Sequence, residues 1–258
     1  MQAAEIEKVA KAKGADLVGF VDVSRFPGGE DNQLNPRYYL RDAKTVIVMG
    51  LKIVDALWDK ISGTYDVHNT NAASYLPNYN YNLLDFIAIQ TARFIEDLGY
   101  DAYPVQARTM SRSQLVMIGY FPFKEAARLA GFGSYGKHDM IITPEFGPRV
   151  RLVTIITDLE VKGQGSRKPV AAQSVEELCG SCTLCIDTCP VHALSYENGE
   201  RKIDRRKCQG NMDIAQNCIL CQAICVKGRE AAKRRRQRKN TQWEGFLEDS
   251  GEIGFNRK

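Results

Sequence analysis

The sequence predicts a layered α/β or α+β domain followed by a small cysteine-rich module. Two observations predict it. Apolar residues recur with alternating helical and strand periods over roughly the first 160 residues, the pattern of helices laid on a sheet. All eight cysteines then fall between Cys179 and Cys225, leaving the preceding 178 residues with none. A stretch of that length can bury roughly 70% of the surface its unfolded chain exposes, and so own a core. The cysteine segment is poor in large apolar residues and needs bound inorganic ions or disulfides to hold its shape.

The elements follow in order. Ile6, Val9, Ala10 and Ala12 recur at near-helical spacing, and Gly14 stands where a left-handed helix end is expected. Asp16 to Val23 reads as a strand. TVIVMGLKI, Thr45 to Ile53, is almost continuously apolar, which suits the middle of a sheet covered on both faces. Residues 64 to 82 are rich in Tyr and Asn without a period and are read as a surface loop or lid. The strongest helix runs from Leu83 to Leu98, with Leu84, Ile87, Thr91, Phe94, Ile95 and Leu98 on one stripe and Gly99 closing it. A strand over Ala102 to Gln106 should follow, then a helix from Pro122 to about Leu129, with Pro in its first turn. The glycine-rich turn GFGSYGK, a strand MIIT and a longer strand VRLVTIITDL precede a polar linker at residues 162 to 173. No internal repeat is expected at periods of 20 to 50 residues.

The N-terminal residues read as a helix and a strand, without the basic-then-apolar layout of a signal peptide, and no run of about 18 apolar residues marks a membrane span. A soluble, cytoplasmic protein without membrane contact is therefore expected, in a compartment where clustered thiols more often bind metal than form disulfides. The formal net charge is +4, yet Lys227 to Lys239 contains eight Lys and Arg against Glu230 alone. The basicity is thus local.

The chemistry lies in Cys179-x2-Cys182-x2-Cys185-x3-Cys189-Pro190, the spacing of bacterial two-cluster ferredoxins. Three cysteines two residues apart can wrap one face of an iron–sulfur cube, while the fourth points away to a second cluster. Cys208-x9-Cys218-x2-Cys221-x3-Cys225 supplies the thiolates that cluster needs. By the crossed logic of such ferredoxins, Cys179, Cys182, Cys185 and Cys225 hold one [4Fe–4S] cluster, and Cys189, Cys208, Cys218 and Cys221 the other. Leu194 to Ile203 reads as a hairpin with an Asn198-Gly199 type I′ turn joining the halves. Zinc and disulfides are the competing readings, but four cysteines in eleven residues crowd a single tetrahedral ion. One departure is Val226, where a second Cys-Pro would be usual.

The run AARLAGFGSYGKHDMIITPEFGPRVRLVTIITDL, followed by CGSCTLCIDTCPVHAL and C-x9-CILCQAIC, closely resembles the epoxyqueuosine reductase and reductive dehalogenase superfamily. The resemblance spans about residues 1 to 226 and implies a nitroreductase-like cobalamin-binding domain (residues 1–165), a ferredoxin-like double-cluster domain (174–228) and a basic, then polar tail (229–258). It also implies a function: electrons from an external low-potential donor, ferredoxin or flavodoxin, pass through both clusters to base-off cobalamin, which acts on a small-molecule electrophile or another protein's corrinoid. Such chemistry is anaerobic in character. Epoxyqueuosine reductases carry a proton-donating aspartate shortly before this turn, whereas MIGYFPFKEAARLAGFG has none. The residues after the module are too few for their C-terminal helical-repeat domain for transfer RNA.

Under this resemblance Gly131, Gly133 and Gly136, with Ser134, Tyr135 and Thr143, would let the backbone approach a large planar ring, and Arg149 would meet its propionamides or phosphate. The plainer reading of the glycines is a helix-to-strand turn, and of Arg149 and Arg151 the solvated face of a strand. Tyr120 takes the place of the missing aspartate and, beside Lys137, could protonate a developing anion; the plainer reading is packing. His68, in DVHNTN, reads as a loop residue, and His138 and His192 as surface or supporting residues. Against a corrinoid reductase stand an electron carrier or reductive activator without cobalamin of its own, and nucleic-acid recognition through KRRRQRK. The last lacks the interleaved aromatic residues of a stacking platform and is not expected.

Overall fold

The computed structural model describes residues 3–61, 67–107, 121–163, 165–214 and 218–249, and the backbone alone of residues 67–70, 73–79, 212–214 and 238–249. The chain runs through α1 (Ala3–Ala12), β1 (Leu17–Asp22), β2 (Thr45–Lys52), α2 (Asp55–Trp58), α3 (Val67–Glu96), β3 (Ala102–Val105), α4 (Phe123–Leu129), β4 (Ser134–Tyr135), β5 (Ile141–Ile142) and β6 (Val150–Thr157). The cysteine region adds α5 (Val175–Cys179), α6 (Leu184–Asp187), β7 (Leu194–Glu197), β8 (Glu200–Ile203), α7 (Arg205–Ile214), α8 (Leu220–Ala223) and α9 (Val226–Asp249).

The main sheet has the order β1-β2-β6-β3, and each neighbouring pair is antiparallel. The first domain is therefore of the α+β kind. Strand alternation sends Ile47, Met49, Val153 and Ile155 to one face, under Ile6 and Ala10 of α1 and Leu84, Ile87 and Ile95 of α3. Val46, Val48 and Ile156 go to the other, under Ala126 and Ala127 of α4 and Phe132. With both faces covered, β2 is buried along almost its whole length, as its apolar run predicts. Each such large side chain contributes about 1.5–3 kcal/mol. Gly19 makes one close contact possible, because a Cβ there would stand 2.7 Å from the Phe132 ring.

The start of α3 differs from the sequence reading. The Tyr- and Asn-rich stretch is helical from Val67 onward, so α3 extends well before Leu83. Asn and Tyr are weak rather than forbidden helix residues, and a helix anchored by the Leu84–Ile95 stripe propagates cheaply toward its N-terminus. Even Pro77 lies inside it.

Candidate metal centre

The module is built from local signals. Ser174 caps α5 in a reciprocal capping box with Glu177, and Gly180, with φ +52°, turns the chain at once into the cysteine loop. Asn198 and Gly199 both take positive φ, as a type I′ hairpin requires. The two short helices are near copies. Residues 183 and 219 enter them at (−121°, 5°) and (−133°, 19°), and residues 188 and 224 leave at (−85°, −7°) and (−73°, −17°). Cys182-x2-Cys185-x3-Cys189 thus recurs at Cys218-x2-Cys221-x3-Cys225, an internal repeat that the sequence reading missed. Only the cysteines and one leucine match, so similarity of residue type alone hides it.

These copies pack against each other, α6 on α8, and gather the thiols into two fours. Burial pushes the Cys185 thiol up to about 12, and the negative charge of Cys225, Cys179 and Cys182 around it adds to the effect. Burial likewise raises Cys221, followed by Cys218 and Cys208, with Cys185 and Cys189 beyond. Buried thiols grouped in this way stay protonated on their own, and a bound cation would favour their thiolate form. Backbone N–H groups of Lys227 and Gly228 point to Cys225, and that of Ala193 donates to Cys189 Sγ at 3.3 Å. All eight cysteines are free of disulfides. Among the described residues no three His, Cys, Asp or Glu side chains draw close enough to hold one metal ion; thiolates around a four-iron cube stand farther apart than around a single ion. The residues present fit two such clusters.

The GFGSYGK turn and β4–β5 form the seam between domain and module. Lys137, 5% exposed, donates to the carbonyl oxygens of Gly180 at 2.8 Å and Cys182 at 3.1 Å, and its ammonium lies 4.9 Å from the centre of the Tyr196 ring. Ser134 Oγ accepts from the Gln173 N–H. Arg201, on the hairpin, stacks 4.0 Å from the Tyr135 ring centre and pairs with Asp139. Arg167, in the linker, donates to Gly131 and Phe132 carbonyls and to the Glu145 carboxylate. Farther along, Arg151 donates to Gln222 of α8 at 2.8 Å.

Several predicted roles change here. A Cβ on Gly133 would stand 2.0 Å from the Ile142 carbonyl oxygen, and one on Gly131 would meet Pro169 at 2.5 Å. At Gly136 the Ile142 side chain fills the space. In the Cβ direction of all three glycines the chain packs against itself. Thr143 is buried, with its hydroxyl donating to Gly147 O and accepting from the Phe146 N–H. Tyr135 reaches Glu125, and burial with that carboxylate raises its pKa. Arg149 and Arg151 are buried rather than solvated: Arg149 is fully enclosed and pairs with Asp55 at 3.1 Å and Asp59 at 3.2 Å. His138 is buried as well, its Nδ1 accepting from Met140 N–H, and desolvation lowers its pKa to about 4. His192 is exposed in a turn at φ +46°. Tyr120, and the His68 side chain, lie outside the described residues. Each of the residues predicted to meet the ring is engaged with another part of the chain.

The basic segment, read as tail, is helix α9 packed back on the first domain. Arg235 forks onto both Asp55 oxygens at 2.7 Å, Arg236 pairs with Asp59 at 2.5 Å, and Ala231 and Ala232 are buried. Gly147 and Gly228 let the backbones touch, since a Cβ on Gly147 would stand 2.5 Å from the Gly228 Cα.

The sheet covered on both faces and the cysteine module that follows it can be set beside known proteins. No family model matches the chain. It is 26% identical over 215 residues to an epoxyqueuosine reductase of Lactococcus garvieae, covering 76% of this chain and 55% of that protein. It is 30% identical over 132 residues to a tetrachloroethene reductive dehalogenase of Desulfitobacterium hafniense, covering 51% of this chain and 21% of that one. Among solved structures, the epoxyqueuosine reductase of Streptococcus thermophilus matches with a TM-score of 0.59 at 21% identity, over 87% of this chain and 65% of that chain. A catabolic reductive dehalogenase in complex with 3-bromo-4-hydroxybenzoic acid matches with a TM-score of 0.63 at 20% identity, over 86% and 31%. Relatives and solved structures of both kinds support placing the chain near the superfamily that these two kinds of protein share. It spans only part of the length of the curated relatives, between about a fifth and two-thirds. One neighbouring structure, an epoxyqueuosine reductase, holds a tRNA stem loop, which bears directly on the expectation that nucleic acid plays no part. Among the described residues no helix is long and apolar enough to cross a membrane.

Proposed function

We propose that the chain is an iron–sulfur reductase that takes single electrons from a low-potential donor, ferredoxin or flavodoxin, into two [4Fe–4S] clusters and passes them to an acceptor held by the first domain. The observation that carries this reading is the return of Cys225 to Cys179, Cys182 and Cys185, which completes one four-thiol set and leaves Cys189 to the other. A [4Fe–4S] cluster supplies one-electron transfer at a potential set by hydrogen bonds to its sulfurs, charge and burial. The Ala193, Lys227 and Gly228 N–H groups would stabilise the more negative, reduced state, as would the Lys137 ammonium beside the Gly180–Cys182 loop.

For the acceptor we propose cobalamin, bound base-off, with an epoxide- or organohalide-like electrophile beyond it. Support comes from the relatives, among them a reductive dehalogenase structure described as suggesting a mechanism for B12-dependent dehalogenation. The residues predicted to seat the corrin are engaged within the chain, so this part rests on those relatives. That engagement equally favours a second reading, an electron-transfer protein or activator of a partner's corrinoid.

Anaerobically reconstituted protein decides the matter. Eight irons and eight sulfides per chain are expected, with a broad absorbance shoulder near about 400 nm. Added cob(II)alamin should give a cobalt resonance without axial nitrogen splitting. Failure to bind any cobalamin form leaves the carrier reading in its place. Tyr120→Phe should spare cobalamin binding and slow only turnover if that phenol donates the proton. Parallel titrations with tRNA and with reduced ferredoxin identify the macromolecular partner.

A further inference from the structure

A cavity of about 720 Å³ lies between α2, the first turns of α9 and the cluster module, a volume suited to a small ligand. Its wall carries Arg149, Arg229, Lys233 and Arg236 against Asp59 alone. Arg229, Lys233 and Arg236 recur at i, i+4 and i+7 and so share one stripe of α9. Arg149 is already neutralised by Asp55 and Asp59, and Arg236 by Asp59. Arg229 and Lys233, both exposed, have no ion pair among the described residues. The floor is apolar, formed by Trp58, Ile61, Ala223 and Ala232.

A second observation points independently to a ligand. Trp58 is 1% exposed, it lines this cavity, and its indole Nε1–H has no hydrogen-bond partner among the described residues. An unmet buried donor costs about 1–3 kcal/mol, and natural proteins rarely leave one without a use. Uncompensated cations on the rim of a cavity with an apolar floor are complementary to a small anion with several acceptor oxygens. A carboxylate offers two oxygens and one charge, whereas a phosphoryl group offers three and up to two charges.

We propose that this cavity binds a small phosphorylated molecule, its phosphoryl oxygens received by Arg229 and Lys233 and its body resting on the apolar floor beside Trp58. Concavity favours such a molecule over a protein or nucleic-acid surface, whose charges would meet α9 from outside. The site is independent of whether the first domain takes a corrinoid.

The test is calorimetric titration of anaerobic, cluster-replete protein with inorganic pyrophosphate and with ADP, against sodium chloride at matched ionic strength. Both phosphates should bind with saturation and change the tryptophan fluorescence of the parent but not of W58F. The double variant R229Q/K233Q should weaken them at least about tenfold, and W58F about threefold, with the visible spectrum of the clusters unchanged. The variant R205Q/R206Q, on α7, should bind as the parent does. Binding no tighter than chloride overturns the proposal. So does equal loss in R205Q/R206Q, or an affinity for tRNA or ferredoxin that R229Q/K233Q reduces while no small phosphate binds.

Discussion

Lys137 and Cys182, forty-five residues apart, are joined by a hydrogen bond from the lysine Nζ to the cysteine carbonyl oxygen at 3.1 Å. The same ammonium holds the Gly180 carbonyl, so a side chain predicted to work with Tyr120 fixes the loop that carries Cys179 and Cys182, two of the proposed cluster ligands. Replacing Lys137 with Met removes two charge-assisted hydrogen bonds, each about 1.5–3 kcal/mol. The cluster on Cys179, Cys182, Cys185 and Cys225 should become the more labile of the two. Electron paramagnetic resonance of the reduced variant after brief chelation should show that cluster depleted first; equal loss of both would refute the assignment.

Cys182→Ala gives the complementary experiment. Iron and sulfide should fall from about eight to about four per chain, with the Cys189, Cys208, Cys218 and Cys221 cluster still detectable. Stoichiometric zinc with little iron in the parent protein would sink the cluster reading.

Substitution at the glycines of the GFGSYGK turn should separate sharply by position. A Cβ on Gly133 meets a backbone carbonyl at 2.0 Å, where nothing flexible can yield, whereas on Gly136 it meets the tip of the Ile142 side chain at 2.6 Å. Gly133→Ala should therefore yield little folded protein, losing about 4 kcal/mol or more, while Gly136→Ala should cost about 1–2 kcal/mol. Thermal unfolding reads both. A Gly133 variant that folds normally and loses only cobalamin binding would restore the ring-contact role.

His138 makes stability depend on pH in a defined window. Buried and neutral, it has a folded pKa of about 4 against roughly 6.5 when unfolded. The unfolded chain therefore binds the extra proton between these values. Stability from this residue is complete above about 6.5, declines as pH falls, and stops declining near 4, an effect of order 3 kcal/mol. Urea unfolding at pH 7, 6 and 5 should show the decline in the parent and a shallower one in His138→Asn; parallel slopes would contradict it.

The parts of this molecule that were legible in the sequence are those fixed by local chemistry. The continuous apolar run from Val46 to Leu51 determines a strand buried on both faces, and Asn198-Gly199 determines the turn between β7 and β8. Cysteine spacing likewise declares two sets of four thiols. What escaped depends on partners distant in the chain. Nothing near Arg149 signals Asp55 and Asp59, so a buried arginine reads as a solvated one. Nothing in KRRRQRK reveals that Arg235 reaches an aspartate 180 residues earlier. Gly133 is legible as a close approach, but only the fold shows that its neighbour is Ile142.

The attachment of the cysteine module at both its ends has a kinetic meaning. Arg167 and Gln173 fasten the entering strand of chain, while Gly228 and Arg235 fasten the leaving one. A module held at entrance and exit cannot swing on a tether between donor and acceptor. Under the proposed function the span an electron would cross is therefore constant, set once by folding rather than sampled by diffusion. Internal electron transfer should be insensitive to solvent viscosity, leaving encounter with the donor as the viscosity-dependent event.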